Sequence, residues 1–162
     1  NGLQLDLLFR PTAAARLNLG LGYLHARYDE FQVPAGVDIG IAQRDFSGSE
    51  LQYEPDWTVT AGYQHDFPLA GGRLRARVQT RYESAFWGTF AQNRGTRQAA
   101  YTKTNASLTW YAPAERWSIG LWVRNIENEP VLAATTTGQF GPYADAFLEP
   151  PRTFGVRFTL SR

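Results

Sequence analysis

Arginine is the residue type whose spacing in this chain most clearly suggests binding chemistry. In the segment "RLRARVQTRYE" (residues 73–83), Arg73, Arg75, Arg77 and Arg81 alternate with mostly apolar residues. A guanidinium group holds several N–H donors in a fixed plane, so it binds carboxylates and phosphates through paired hydrogen bonds. A row of such groups predicts a surface that pairs with acidic side chains or with an anionic solute.

A two-residue spacing places these arginines on one face of a β-strand, because successive side chains of a strand point to opposite faces. The same alternation recurs along the chain, and no segment keeps a helical period for three turns. We therefore predict an all-β fold of about seven strands. The predicted strands are "GLQLDLLFR", "ARLNLGLGYLHARYDEF", "DWTVTAGYQHDF", "RLRARVQTRYE", "YTKTNASLTWY", "WSIGLWVRN" and "RTFGVRFTLSR".

The connections between these strands alternate between short and long. The segments "PTAAA", "PLAGG" and "APAE" are tight, whereas the segments that begin "QVPAGVDIG", "WGTFAQNRG" and "IENEPVLAA" are long. In an up-and-down antiparallel sheet, all the short turns then lie at one end and all the long loops at the other. This asymmetry is typical of outer-membrane barrels.

The segment "PLAGG" is expected to close a hairpin between the third and fourth strands. A register that keeps polar residues opposite polar residues, and apolar opposite apolar, satisfies both faces of the hairpin. The expected polar pairs are Asp66–Arg73, Gln64–Arg75, Gly62–Arg77 and Thr58–Arg81, and the expected apolar pairs are Tyr63–Ala76, Ala61–Val78 and Trp57–Tyr82.

Composition argues against several kinds of site. The net charge of +1 gives no reason to expect a nucleic-acid partner, and the absence of cysteine excludes disulfides and thiolate ligands. Only two histidines are present, His25 and His65, and both are expected at the lipid interface near strand ends. No apolar run is long enough for a membrane-spanning helix. We predict no catalytic residues, no metal site and no cofactor.

The apolar faces of the strands could meet either a soluble protein core or membrane lipid. Almost no charge lies on these faces, and aromatic residues such as Trp57, Tyr82 and Trp110 lie near their ends, as at lipid–water interfaces. Both features favour a membrane barrel with the arginine row facing the lumen. There the arginines either contact a plug or an anionic solute, or form a structural ladder satisfied by neighbours and water.

Several segments resemble the C-terminal part of a TonB-dependent outer-membrane receptor, in family order along nearly the whole chain. They are the hairpin "GLQLDLLFRPTAAARLNLGLGYLHARYDEF", the strand entry "GSELQYEPDWTVTAGYQHDF" with Glu54–Pro55–Asp56–Trp57–Thr58, the segment "WSIGLWVRNIENEPV" with Asn125, Ile126 and Glu127, and the closing strand "EPPRTFGVRFTL" with Pro151, Arg152, Thr153, Phe154, Gly155 and Val156.

The resemblance implies a barrel of 22 strands with an N-terminal plug, which imports ferric siderophores, cobalamin or another scarce nutrient with energy from the inner-membrane TonB complex. Residues 1–162 are expected to be the C-terminal part of such a barrel in the outer membrane, without the plug and unable to transport by themselves. The expected partners are outer-membrane lipid, the missing plug and strands, TonB acting through the plug, and a small ligand such as a metal chelate. Family chains usually end on an aromatic residue, whereas this one ends Leu160–Ser161–Arg162.

Long loops on a rigid barrel commonly carry binding residues, so aromatic and polar loop residues are candidate solute contacts together with the lumen-facing arginines. The candidates are Arg75, Arg77, Arg81, Phe90, Gln92, Asn93, Arg94, Phe140 and Tyr143. Two other interpretations stay open at this point. One is a small outer-membrane barrel without energy coupling, and the other is a soluble ligand-binding β-barrel.

Overall fold

The computed structural model describes residues 1–37, 42–92, 94–137 and 144–161. Within these ranges the fold is built from β-strands, and the two short 3-10 helices Arg94–Thr96 and Pro113–Glu115 have three residues each. No helix of the described residues is long and apolar enough to cross a membrane. The strands are β1 (Gly2–Thr12), β2 (Ala15–Leu24), β3 (Trp57–Leu69), β4 (Gly72–Glu83), β5 (Phe86–Trp87), β6 (Arg97–Gln98), β7 (Tyr101–Tyr111), β8 (Trp117–Arg124), β9 (Leu132–Thr137), β10 (Ala144–Leu148) and β11 (Thr153–Leu160).

Seven of the strands form one antiparallel sheet in the order β1-β2-β3-β4-β7-β8-β11. This confirms the prediction of an all-β, up-and-down fold of seven strands, and the sheet of the described residues is open, as expected of a partial barrel. The three long connections lie at the same end of the sheet. We call them loop 1 (residues 25–56), loop 2 (residues 84–100, with the pair β5–β6) and loop 3 (residues 125–152, with the pair β9–β10).

The second strand is shorter than its alternating sequence predicts. β2 ends at Leu24, whereas the predicted strand continues to Phe31. After Leu24 the chain leaves the sheet and pairs within loop 1 instead, through isolated bridges from Arg27 to Glu50 and from Gln32 to Asp45. The prediction of a strand as far as Phe31 is therefore wrong. From Leu24 the apolar residues change parity, and a continued strand would place His25, Arg27 and Asp29 on the apolar face.

The predicted register of the β3–β4 hairpin is wrong by two residues. Asp66 pairs with Arg75 rather than Arg73, and the whole ladder shifts with it. The observed pairs include Gln64–Arg77, Gly62–Gln79, Thr60–Arg81, Thr58–Glu83, His65–Ala76, Tyr63–Val78, Ala61–Thr80 and Val59–Tyr82.

The tightness of the turn explains this shift. Leu69 pairs with Gly72, so only Ala70 and Gly71 lie between the strands, and both have positive φ, at 51° and 71°. Positive φ at both central residues is typical of the two-residue turn whose twist matches that of a hairpin. The strand therefore runs through Pro68 to Leu69 instead of ending at Phe67. A slip of two residues keeps every side chain on its predicted face.

The two faces of the sheet differ in polarity. The apolar face carries the odd-numbered side chains of β2, β3 and β8 and the side chains that pair with them on neighbouring strands. No described residue covers it, and Val78, Leu121 and Val156 are 40%, 57% and 65% exposed. The polar face carries the arginine row and lines the concave side of the sheet. The apolar side chains therefore do not converge on a dry interior, which agrees with a membrane barrel rather than a soluble one.

Aromatic side chains lie at both ends of the apolar face. Tyr23 and Trp57 contact each other near the long loops, with ring centroids 4.6 Å apart. Near the short turns, Trp117 contacts both Trp110 and Phe158, at 5.0 and 5.9 Å between centroids. Two such belts, separated by aliphatic residues, are typical of a protein surface that crosses two lipid–water interfaces.

The orientation of the two faces leads to a direct test by substitution at neighbouring positions of β4. We expect Val78→Arg to lower the free energy of unfolding in a lipid bilayer by about 2–4 kcal/mol, because it places a charge on the lipid side near the middle of the membrane. Arg77→Val, on the polar side, should cost much less. Refolding of the full-length protein into bilayers measures both values, and the opposite ranking would show that the two faces are assigned the wrong way round.

Candidate functional site

A large concave volume lies on the polar face at its loop end. It measures about 1170 Å³ and is bounded by strands β1, β2, β3, β4 and β7 and by all three long loops. Side chains that line it include Asp6, Thr58, Thr60, Arg81, Glu83, Lys103 and Asn105 from the strands, and Tyr53, Phe86, Val131 and Glu149 from the loops. This volume, which we call the upper concavity, is the candidate ligand site.

Charged side chains in the upper concavity are held by partners from different elements. The Arg81 guanidinium donates to the Glu83 carboxylate, and the Tyr101 hydroxyl donates to the other oxygen of that carboxylate. Lys103 of β7 forms an ion pair with Glu149 at the end of loop 3. The site thus combines fixed charges with donors and acceptors, an arrangement that orients a polar solute.

A small apolar core ties the loops to the rim of this site. Phe86 of loop 2, Tyr101 of β7 and Val131 of loop 3 are buried together, and Tyr53 of loop 1 packs against them. The hydroxyl of Tyr53 also forms a hydrogen bond of 2.9 Å with Thr135 in loop 3. The loops therefore form one connected wall above the strands.

Asn125 fixes the start of loop 3. Its side chain is buried, and it donates to the Glu129 carbonyl and accepts from the Glu129 amide, both at 2.9 Å. Its own amide donates to Asn105 Oδ1 at 3.0 Å. The backbone φ of Asn125 is +53°, a conformation that asparagine tolerates better than most residues. In the sequence Asn125 was identified only as a motif position. An asparagine directly after a strand is the feature that could have predicted this turn.

The three predicted arginines of β4 lie on the same face but in different surroundings. Arg81 lines the upper concavity. Arg77 lines a second, smaller concavity closer to the short turns. Arg75 binds Asp66 through two hydrogen bonds of 2.7 and 2.9 Å, and its guanidinium lies 5.6 Å from the centre of the Tyr111 ring. Within this row, Arg75 is therefore the candidate for a structural role, and Arg81 is the candidate for ligand binding.

Predicted loop contacts occupy varied positions. Phe90 packs edge-on against Phe31 and Phe46 of loop 1, at 5.1 Å between ring centroids in both cases. Gln92 is half-buried in a turn, where its backbone N–H donates to the Thr89 carbonyl. Arg94 begins the 3-10 helix of loop 2. Asn93, Phe140 and Tyr143 lie outside the described residues. Solute contact by these residues stays a prediction.

Residues that reasoning from the sequence missed are Glu83, Tyr101, Lys103 and Glu149. Glu83 follows Arg81 at the two-residue spacing of the arginine row, so the strand pattern could have predicted the contact between these two side chains. Glu149 lies far along the chain from Lys103, and no spacing rule predicts that contact. Among the described residues, no group of histidine, aspartate and glutamate side chains could hold a metal ion.

The Glu127 carboxylate links loop 3 to β7 by accepting the Thr104 amide at 2.7 Å. Burial raises the pKa of this carboxyl, but the hydrogen bonds from Thr104 outweigh burial and hold the pKa below its ordinary value of 4.5. Because the folded-state pKa is the lower one, the contact stabilises the fold above pH 4.5 and is lost as the pH falls through the folded-state value.

This pH dependence can be measured by hydrogen exchange. We expect the protection of the Thr104 amide in the full-length protein to decrease as the pH falls below 4.5, the ordinary pKa of the Glu127 carboxyl. In Glu127→Gln the protection should not change over that range, because the side chain no longer titrates. Equal pH dependence in both proteins would contradict this assignment.

Replacement of Asn125 tests its role in placing loop 3. We expect Asn125→Ala to lower the free energy of unfolding by about 1–3 kcal/mol, because it leaves buried backbone groups of Glu129 without partners. The matched control is Asn128→Ala, since Asn128 is exposed and water can replace its contact with the Arg152 amide. Urea unfolding of the two full-length variants measures the difference. Equal losses would show that burial at Asn125 adds nothing.

Residues 1–126 match the family model described as "TonB dependent receptor-like, beta-barrel". No curated protein matches the sequence. Solved structures with a similar fold include the ferric yersiniabactin uptake receptor FyuA from Yersinia pestis (TM-score 0.78, 16% identity), the ferric preacinetobactin receptor BauA from Acinetobacter baumannii (0.66, 16%) and the siderophore receptor PiuA from Acinetobacter baumannii (0.71, 14%).

Each of these matches covers 96% of this chain but only 22%, 21% and 20% of the respective receptor. The chain thus spans about a fifth of the length of the structures that it resembles, and at these identities the likeness shows the fold. The matched family and the three structures are receptors rather than enzymes. Because the family model covers most of the chain and the observed sheet has the expected faces and loops, the chain belongs to the TonB-dependent receptor-like β-barrel family.

Proposed function

We propose that residues 1–162 are the C-terminal part of an outer-membrane receptor for TonB-dependent uptake of a scarce nutrient, such as a ferric siderophore. The observation that carries this proposal is the position of the upper concavity. It lies on the polar face, beneath three long loops, and the opposite face is apolar and flanked by aromatic belts. A solute can then enter from the loop end and travel along a polar wall while lipid surrounds the outside.

The upper concavity supports binding of a polar chelate rather than of a purely apolar ligand. Its lining combines aromatic and aliphatic loop residues with six charged ones, which are Asp6, Glu54, Arg81, Glu83, Lys103 and Glu149. Concave sites that combine apolar walls with a few fixed polar groups are typical of small-molecule binding. We assign solute contact to Arg81 first, with the loop residues Phe90, Gln92, Asn93, Arg94, Phe140 and Tyr143 as further candidates.

The remaining partners follow from the family. The rest of the barrel and the plug would come from other parts of the same receptor, TonB would act through the plug, and outer-membrane lipid would cover the apolar face. The open edges of β1 and β11 support this assignment, because unpaired strand edges in a membrane protein require neighbouring strands. Arg75 and Arg77 are assigned to the lumen wall of the complete barrel.

Growth on ferric chelates tests the proposal with the full-length protein. We expect uptake that requires TonB, and we expect Arg81→Ser to weaken chelate binding by roughly tenfold, the value of one hydrogen bond to a charged group. Arg116→Ser is the matched control, since Arg116 lies in the short turn at the opposite end of the sheet. Uptake that persists without TonB would instead indicate a barrel without energy coupling.

A further inference from the structure

Charge in this chain is divided between the loops and the rest of the sheet. With histidine neutral, loops 1, 2 and 3 together contain eleven acidic side chains and five arginines, a net charge of −6. The strands and short turns contain four acidic side chains, ten arginines and one lysine, a net charge of +7. The total of +1 does not show this separation. A charged solute that approaches the loop end therefore meets a negative field.

The lining of the upper concavity carries the same sign as the loops. Four of its six charged side chains are acidic and two are basic, which leaves a net charge of −2. Both basic side chains are already paired, because Arg81 contacts Glu83 and Lys103 contacts Glu149. The charge that these pairs do not compensate belongs to the two other carboxylates, Asp6 of β1 and Glu54 of loop 1.

Asp6 and Glu54 are both exposed to the concavity, so a bound solute can reach them. None of the ion pairs formed by the described residues includes either of them. The Asp6 carboxylate accepts a hydrogen bond of 2.8 Å from the Gln4 amide, which is neutral and leaves the charge uncompensated. A Cβ atom on Gly20 would stand 3.1 Å from Asp6 Oδ1 and 2.6 Å from Thr60 Oγ1. Glycine there lets both side chains lie over β2 in the concavity.

The sign of the charge reverses further along the wall. The smaller concavity closer to the short turns is lined by Arg77, Arg124 and Arg157, and its described lining includes no acidic side chain. A cation is therefore most stable at the loop end, in the upper concavity. An anion is attracted to the lower arginines only after it has passed the acidic loops and the two free carboxylates, and like charge slows that approach.

These charges distinguish between classes of metal chelate. A chelate with free carboxylates or sulfonates would bring its negative charge next to Asp6 and Glu54. A chelate with a free ammonium group can instead form an ion pair with either carboxylate. Arg81 is compatible with such a solute, because its side chain is more than half exposed despite its contact with Glu83, and it can donate to the metal-bound oxygen atoms.

We propose that the upper concavity selects metal chelates of net positive charge, and that Asp6 and Glu54 set this preference. The inference rests on the proposed function, because it names the charge class of the solute that the receptor takes up. The solute class is a ferric chelate with a neutral metal core and a free ammonium group. The acidic loops speed the approach of this class, and the two carboxylates favour it once it is bound.

Local charge in the upper concavity can be measured without knowledge of the natural solute. Thr60→Cys places a thiol close to Asp6, and residues 1–162 contain no cysteine of their own. In the purified full-length receptor, with any other cysteine replaced by serine, this thiol reacts with methanethiosulfonates that carry either a trimethylammonium or a sulfonate group. The ratio of the two rates is divided by the same ratio for N-acetylcysteine amide. Both reagents attack the same thiolate, so the amount of thiolate cancels.

We expect the normalised ratio to favour the cationic reagent by about tenfold or more. Asp6→Asn combined with Glu54→Gln should lower this preference. Glu115→Gln removes one acidic charge from the short turn at the opposite end and should leave the ratio unchanged. Equal normalised rates, a preference for the anionic reagent, or an unchanged ratio in the double variant would overturn the proposal.

Three ferric trihydroxamates test the same preference on binding and uptake. They share one neutral metal core and end in a free amine, an acetylated amine or a succinylated amine, so they are cationic, neutral and anionic. We expect the full-length receptor to bind them in that order of decreasing affinity. TonB-dependent uptake with the anionic chelate bound most tightly overturns the charge preference alone. A cationic preference at the thiol without TonB-dependent uptake of any ferric chelate overturns the proposed function alone.

Discussion

The structure depends on one constraint: an antiparallel sheet with all its apolar side chains on one face must keep that face away from water. Among the residues that the structure describes, no second layer covers the face, and Val78 and Leu121 are exposed there. The buried apolar residues lie elsewhere, mainly where the loops meet. The barrels of the family to which the chain belongs face lipid on this side, and a sheet suits that position because the backbone groups inside it already have partners. The polar wall, the concavities and the loops are all arranged around this separation.

Strand positions and facing were readable from the sequence because both depend on a period of two. Six of the seven sheet strands lie close to their predicted bounds, and the arginine row lies on the predicted side. The register of the β3–β4 hairpin was not readable in the same way, since a slip of two residues changes no facing. Ala70 decided it, and alanine at positive φ is a poor sequence signal. The end of β2 coincides with a change of parity at Leu24, which the predicted strand to Phe31 overlooked.

In the candidate site as well, contacts within a strand could be predicted from the sequence, and contacts between loops and strands could not. Arg81 and Glu83 are two residues apart on one strand, so their meeting follows from strand geometry alone. The partner of Lys103 is Glu149, which a loop with its own pair of strands brings back to the wall. Contacts of that kind depend on how three loops pack together, and neither composition nor spacing encodes this packing. Reasoning from the sequence therefore found the wall of the site but not the residues that close it.

The cluster of Phe31, Phe46 and Phe90 has a consequence for how such a receptor can diversify. One ring from loop 2, Phe90, packs against two rings from loop 1, Phe31 and Phe46. A change of size at any of these rings alters the fit of the other loop as well. Loops 1 and 2 therefore have to be exchanged or redesigned as a pair, because grafting either one alone leaves a mismatched interface.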